Sequence, residues 1–210
     1  MSAVPLVVVD YGVNNLRSVR RALEEGGHPA VLSGDPEVVR RADRVVMPGV
    51  GHFAKAVQNL KDSGLGAAVQ EAAVAGRPVM GICLGMQLFF AKSDEAPDTP
   101  GLGLLPGRIM RFAVDLPVPH VGWAAVQRTA AGLAHPVAAK GVAHDPEFFY
   151  HVHSYHPTDL PDGVTLGTGD YGGPFATLVG HGNVLGAQFH PEKSQQAGIR
   201  LLAAFAEWTP

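Results

Sequence analysis

Pro78-Val79-Met80-Gly81-Ile82-Cys83-Leu84-Gly85-Met86-Gln87 is the stretch on which the reading of this chain turns. Its apolar start predicts a buried strand, and the apolar segment from Leu84 to Lys92 predicts a helix. Between them, Gly-x-Cys-x-Gly is the cysteine form of a nucleophile elbow. Glycines two before and two after let the backbone pack through a sharp strand-to-helix turn. Such a turn lifts the sulfur above the sheet edge and sets it at a helix N-terminus, where backbone N–H groups favour a thiolate. Cys83 is therefore the candidate nucleophile, against the alternative of a small core hydrophobe.

Working outward, strands and helices alternate on the N-terminal side. Leu6–Val9 reads as a strand covered on both faces. After the turn Asp10–Asn15, Leu16, Val19 and Leu23 recur at helical spacing until Gly26. Pro29–Leu32 reads as a strand, Asp35-Pro36 as a cap and first position of a short helix to Arg41, and Arg44–Met47 as a strand ending in Pro48-Gly49-Val50-Gly51. Helices are predicted over Phe53–Leu60 and Leu65–Ala75. This alternation argues for an α/β fold, a mostly parallel central sheet with helices on both faces, whose ligands bind beyond the carboxyl ends of the strands. Ser93–Pro100 reads as a surface loop. Beyond Gly107, short strand-like runs (109–112, 148–153, 164–167, 176–179, 184–189) predict antiparallel strands added to the sheet in the C-terminal half. Residues 124–143 show no clear period, and Gln195–Trp208 closes the chain as a helix. No repeat and no second domain is evident, so residues 1–210 read as one domain.

Composition sets bounds. The chain has 210 residues, 46% hydrophobic and 17% charged, which describes a globular domain. A net charge of −3 gives no bulk reason to expect nucleic acid or an anionic membrane. A single cysteine cannot form an internal disulfide, so a reducing, cytoplasmic setting is expected. The first ten residues read as strand rather than signal peptide, and no apolar run approaches transmembrane length.

A cysteine nucleophile needs a base, and the base needs a group to hold its ring. Gln188-Phe189-His190-Pro191-Glu192 supplies both, with His190 at a strand end and Glu192 bent back by Pro191. The order nucleophile, His, acid differs from that of α/β-hydrolases. Oxyanion donors are available from the N–H of Leu84 and from the Pro48–Gly51 segment, and Gln87 stands one turn past the nucleophile. His151 and His153 share a strand face with His156 nearby. No acidic or thiol ligand stands at a suitable spacing, so no metal is expected. No phosphate-loop pattern occurs, and no cofactor is expected.

Gly81–Gln87 together with His190-Pro191-Glu192 resembles the class I (triad) glutamine amidotransferases. Asp10-Tyr11-Gly12 with Asn15–Ser18, Pro48–Gly51, Pro119-His120-Val121-Gly122-Trp123, Tyr150 with His153-Ser154-Tyr155, and His190–Ser194 extend the resemblance along nearly the whole chain. Within the family they resemble the glutaminase subunits of imidazole glycerol phosphate synthase, of histidine biosynthesis. That resemblance implies a Cys83–His190–Glu192 triad forming a glutamyl thioester, and an oxyanion hole lined by Gly51 and Leu84. It implies glutamine contacts at Gln87, Ser154 and Tyr155. A heterodimer with a (β/α)₈ synthase subunit would receive ammonia across Asn15, Pro119, Trp123, Tyr150 and Lys193. By residue type alone, Trp123 would be core and Lys193 a solvated surface lysine. Asn14 and His151 depart from the family pattern. The competing readings are a glutaminase serving another synthase, such as that of pyridoxal phosphate, and a catalytically silent module of the same fold.

Overall fold

A computed structural model describes residues 6–210, so the reading of residues 1–5 as free of a leader lies outside the described residues. The core is a nine-stranded sheet. Its parallel half comprises β1 (Val7–Val9), β2 (Val31–Ser33), β3 (Val45–Gly49), β4 (Val79–Cys83) and β11 (Val184–Ala187). Its antiparallel half comprises β6 (His120–Arg128), β7 (Glu147–His153), β9 (Thr165–Asp170) and β10 (Pro174–His181). The spatial order is β2-β1-β3-β4-β11-β10-β9-β6-β7. The nucleophile strand β4 is thus central, between β3 and β11 and parallel to both.

The two-residue period of a strand explains both helical layers. Val8, Val46, Met80 and Ile82 point to one face, and Val7, Val9, Val45, Met47 and Val79 to the other. The first face is covered by α1 (Leu16–Glu25), α7 (Pro136–Gly141) and α8 (Gln195–Glu207) through Leu16, Val19, Leu23, Val137, Leu201, Leu202 and Phe205. The second is covered by α2 (Pro36–Arg40), α3 (Phe53–Ser63) and α4 (Leu65–Val74) through Val39, Phe53, Leu60, Leu65 and Val69. Asp35 caps α2 by accepting from the N–H of Glu37, and Pro36 takes the first helical position. Gly64, at φ +72°, ends α3 in the left-handed cap that separates it from α4.

Four expectations change. The elbow helix α5 spans Leu84–Gln87, a single turn, and does not run to Lys92. Leu88, Phe89 and Phe90 are fully buried, and the carbonyls of Leu88 and Phe89 accept from Leu102, Leu104 and Leu105, so tertiary hydrogen bonds replace the helical ones. Within the predicted surface loop 93–100, Ser93 is buried and bridges Ile109. The strand predicted at 109–112 is β5 (Arg108–Arg111). It pairs with β8 (Tyr155–Thr158) in a separate two-stranded sheet rather than joining the main one. Residues 124–143 contain the second half of β6 followed by α6 (Ala130–Ala134), capped by Thr129, and α7. Helices this short carry too little periodicity to read from sequence.

Candidate active site

The elbow forms because neighbouring backbone leaves no room for side chains. A Cβ on Gly85 would fall 1.8 Å from the carbonyl oxygen of Met47 in β3, and one on Gly81 would fall 2.5 Å from the Cα of Met86. Cys83 itself adopts φ 52° and ψ −113°, strained for an L-residue and maintained by the packing on both sides. The result is a sulfur at the carboxyl end of the central strand, buried yet lining a cleft of about 560 Å³.

His190 reaches the same rim from the end of β11. Its backbone N–H donates to the Tyr150 carbonyl (2.9 Å). Its carbonyl accepts from Ser194 Oγ (2.6 Å), which in turn accepts from the N–H of Tyr150 (3.0 Å). The ring lies 2.6 Å from Glu192 Oε1 through Nδ1, with both side chains essentially removed from solvent. Pro191 opens the one-turn 3₁₀ segment Pro191–Lys193 that folds Glu192 back. Nδ1 thus carries the proton donated to the carboxylate, and Nε2 is buried with no hydrogen-bond partner. Burial disfavours the charged ring, but the charge of Cys83, followed by the hydrogen bond and charge of Glu192, prevails and raises His190 to about 10. The predicted nucleophile, base and acid are therefore brought together from remote parts of the chain.

Three residues in this constellation were not read from the sequence as part of it. Asn15, expected at an interface, donates from Nδ2 to Glu192 Oε1 at 2.5 Å. It holds φ 79° at the start of α1 without capping that helix, because its amide is turned to the carboxylate. Gln188, fully buried, places Nε2 3.8 Å from the Cys83 sulfur and accepts from Gln87 Nε2 at 3.2 Å. Its signal was present in the strand preceding His190, where a polar residue interrupts an apolar run. Tyr11 is a third: its hydroxyl donates to the Pro48 carbonyl (2.7 Å), and a Cβ on Gly49 would meet that hydroxyl. Burial, and then the nearby Cys83 charge, push the Tyr11 phenol well above its ordinary range.

Gly51, Leu84, Gln87, Ser154 and Tyr155 all line the Cys83 cleft, as does Pro119. Gly51 takes φ +121°, a conformation for which glycine is suited. Two charged residues join them, Glu95, which meets His52 Nδ1 at 3.2 Å, and Arg111. Beside the cleft, Trp123 and Tyr150 pair across β6 and β7 with their rings 6.3 Å apart, and the Lys193 ammonium lies 5.7 Å from the Tyr150 ring centre. Trp123 is 48% exposed, and Val121 and Phe148 on the same strand face are also exposed. Among the described residues no helix is long and apolar enough to cross a membrane.

The fold is that of a known family. The model for glutamine amidotransferase class-I matches residues 7–207, and the chain belongs to that family. It is similar to the imidazole glycerol phosphate synthase subunit HisH of Symbiobacterium thermophilum, 49% identical over 94% of this chain and 91% of that one. The protein of the same name from Chromobacterium violaceum is 44% identical over 97% of each chain. Among solved structures, a glutamine amidotransferase superposes with a TM-score of 0.75 at 20% identity, covering 95% of this chain and 98% of that one. The glutaminase domain of Trypanosoma brucei CTPS with bound acivicin superposes at 0.69 and 17% identity, over 99% of this chain and 96% of that one. At such identities these two likenesses concern the fold alone.

Proposed function

We propose that this chain is the glutamine amidotransferase subunit of an imidazole glycerol phosphate synthase, hydrolysing glutamine through Cys83, His190 and Glu192 and passing the ammonia to a (β/α)₈ partner. The observation that carries the chemistry is the buried His190–Glu192 pair at the same sheet rim as a strained, cleft-lining cysteine. The near-full-length similarity to the HisH subunits carries the choice of synthase.

The steps follow from what each group can hold. The Cys83 thiolate attacks the carboxamide carbon of glutamine. The oxyanion of the tetrahedral adduct is taken by backbone N–H groups at Leu84 and Gly51. His190, protonated and oriented by Glu192, gives its Nε2 proton to the departing nitrogen, and collapse of the adduct leaves a glutamyl thioester and ammonia. His190, now neutral, takes a proton from water, whose attack on the thioester releases glutamate and restores the thiolate. Gln87, Ser154 and Tyr155 line the glutamine side of the cleft. Glu95 and Arg111 offer opposite charges for the ammonium and carboxylate of an amino acid.

The partner face is the outward side of β6 and β7. Val121, Trp123 and Ala125 lie opposite Val152, Tyr150 and Phe148, giving an exposed apolar patch that adjoins the cleft through Pro119 and Val152. Lys193 borders it over the Tyr150 ring, and Asn15 is assigned to it on the resemblance. A partner seated here would close the mouth of the cleft, so ammonia would leave without entering bulk water.

The test is Cys83→Ser in the complex with the (β/α)₈ subunit. Glutamine-dependent synthesis should be lost while synthesis from added ammonium salts survives. Full glutaminase turnover by Cys83→Ser would refute the thioester route. Absence of labelling of Cys83 by a glutamine-analogue electrophile, with and without the partner, would instead favour a silent module.

A further inference from the structure

The spacing of His151 and His153 shows a pair of histidines; the fold adds a third. His120 is the direct cross-strand partner of His153 in β6–β7, and His151 lies two residues earlier on the same strand face. Opposite His151 stands Gly122, so no side chain fills the space between the strands at that point. All three rings are buried, His151 completely. One ring nitrogen from each lies within 4.8 Å of the others.

The hydrogen-bond network assigns the tautomers. His153 Nδ1 lies 2.9 Å from the Tyr155 carbonyl, which can only accept, so Nδ1 carries the proton and Nε2 the lone pair. That Nε2 is 3.0 Å from His151 Nδ1, which must therefore donate to it. The proton of His151 is then spent, and its Nε2 is left as a buried lone pair with no partner. His120 Nδ1 is likewise buried without a partner. Buried polar nitrogens are nearly always satisfied, so the unpartnered His120 Nδ1 beside the His151–His153 pair calls for a ligand.

We propose that His120, His151 and His153 form a binding site for one borderline-soft divalent transition-metal ion, zinc being the type case. Three imidazole nitrogens suit zinc, nickel, cobalt or copper and not magnesium or calcium, which require oxygen ligands. The bond from His153 Nδ1–H to the Tyr155 carbonyl is the outer-shell support that metal-bound imidazoles use to fix ring and tautomer. Zinc–nitrogen bonds of about 2.0–2.1 Å in tetrahedral geometry put ligand nitrogens about 3.3 Å apart. The His151–His153 pair is already near that separation. Loading requires the proton shared between these two rings to move and the His120 ring, now stacked 4.0 Å from Tyr171, to swing inward. His153 also lines the Cys83 cleft, so the site adjoins it.

The experiment uses full-length, tag-free protein carrying Cys83→Ser, so that the thiol cannot be a ligand. It is titrated with zinc by calorimetry and with cobalt by visible absorption. One ion per chain is expected, with cobalt bands of the intensity of a tetrahedral nitrogen site and a Tm that rises with free zinc. His151→Phe and, separately, His120→Asn should each weaken binding by at least about 100-fold, with folding checked by circular dichroism. Magnesium should give no effect. No saturable zinc binding, a magnesium response equal to that of zinc, or binding unchanged in whichever of the two variants folds would overturn the proposal.

Discussion

At the residue scale the decisive device is a charge held in place by two others. His190 is bonded to Glu192 and senses the charge of Cys83, and this raises it from an ordinary 6.5 to about 10. Because the folded-state value is above the unfolded one, the stability this proton contributes is complete below about pH 6.5 and is lost as the pH rises through about 10. Cys83→Ala removes the larger favourable influence, so the His190 resonance in an NMR titration should move to clearly lower pH. A titration unchanged by Cys83→Ala would show that the sulfur does not face the ring. Glu192 is itself held by Asn15, and the two bonds to Oε1 fix which way the carboxylate points. Asn15→Ala should reduce glutaminase kcat in the complex on the order of 10-fold with little change in KM, because a loosened carboxylate misorients the base without touching glutamine. Unchanged kcat with weakened partner affinity would instead restrict Asn15 to the interface.

At the scale of elements, β3, β4 and α5 form one tightly packed unit. Gly85 sits where the elbow crosses β3, and the contact it would make with a methyl group is to backbone, which cannot rotate away. Gly85→Ala should cost more than about 3 kcal/mol by denaturant unfolding, a value reserved for severe overpacking or strain. A loss below 1 kcal/mol would mean that the strand and elbow can separate cheaply. The same contact links Met47-Pro48-Gly49 mechanically to the nucleophile turn, with Tyr11 bonded to the Pro48 carbonyl from beneath. Any reorientation of the Pro48–Gly51 segment therefore has to begin beyond this clamp, at Val50 and Gly51, where a Cβ on Gly51 would meet only open space.

At the scale of the whole molecule, the parallel half of the sheet carries Cys83 and leads into His190, and the antiparallel half carries the exposed apolar face. The backbone bond between His190 and Tyr150 joins them, so the outermost strand of the sheet is tied directly to the proposed base. Trp123 is the largest exposed ring on that face, and large aromatic side chains that bury on docking dominate interface energies. Trp123→Ala should weaken association with the (β/α)₈ subunit by about 30-fold or more, the equivalent of at least 2 kcal/mol, while leaving the thermal unfolding of the isolated chain nearly unchanged. A fall in Tm without loss of affinity would make Trp123 a packing residue instead. The sequence by itself determined the α/β alternation, the elbow around Cys83 and the His190-Pro191-Glu192 group, because each is written in local spacing: apolar runs, glycines two either side of a cysteine, a proline between base and acid. Tertiary structure decided what depends on contacts between distant segments. It shortened α5, since the carbonyls of Leu88 and Phe89 accept from Leu102, Leu104 and Leu105 instead of continuing the helix, and it turned Asn15 toward Glu192 across the sheet rim. It set Gln188 beside the sulfur and gathered His120 to His151 and His153, because cross-strand neighbours are fixed by register, which no single segment of the chain contains.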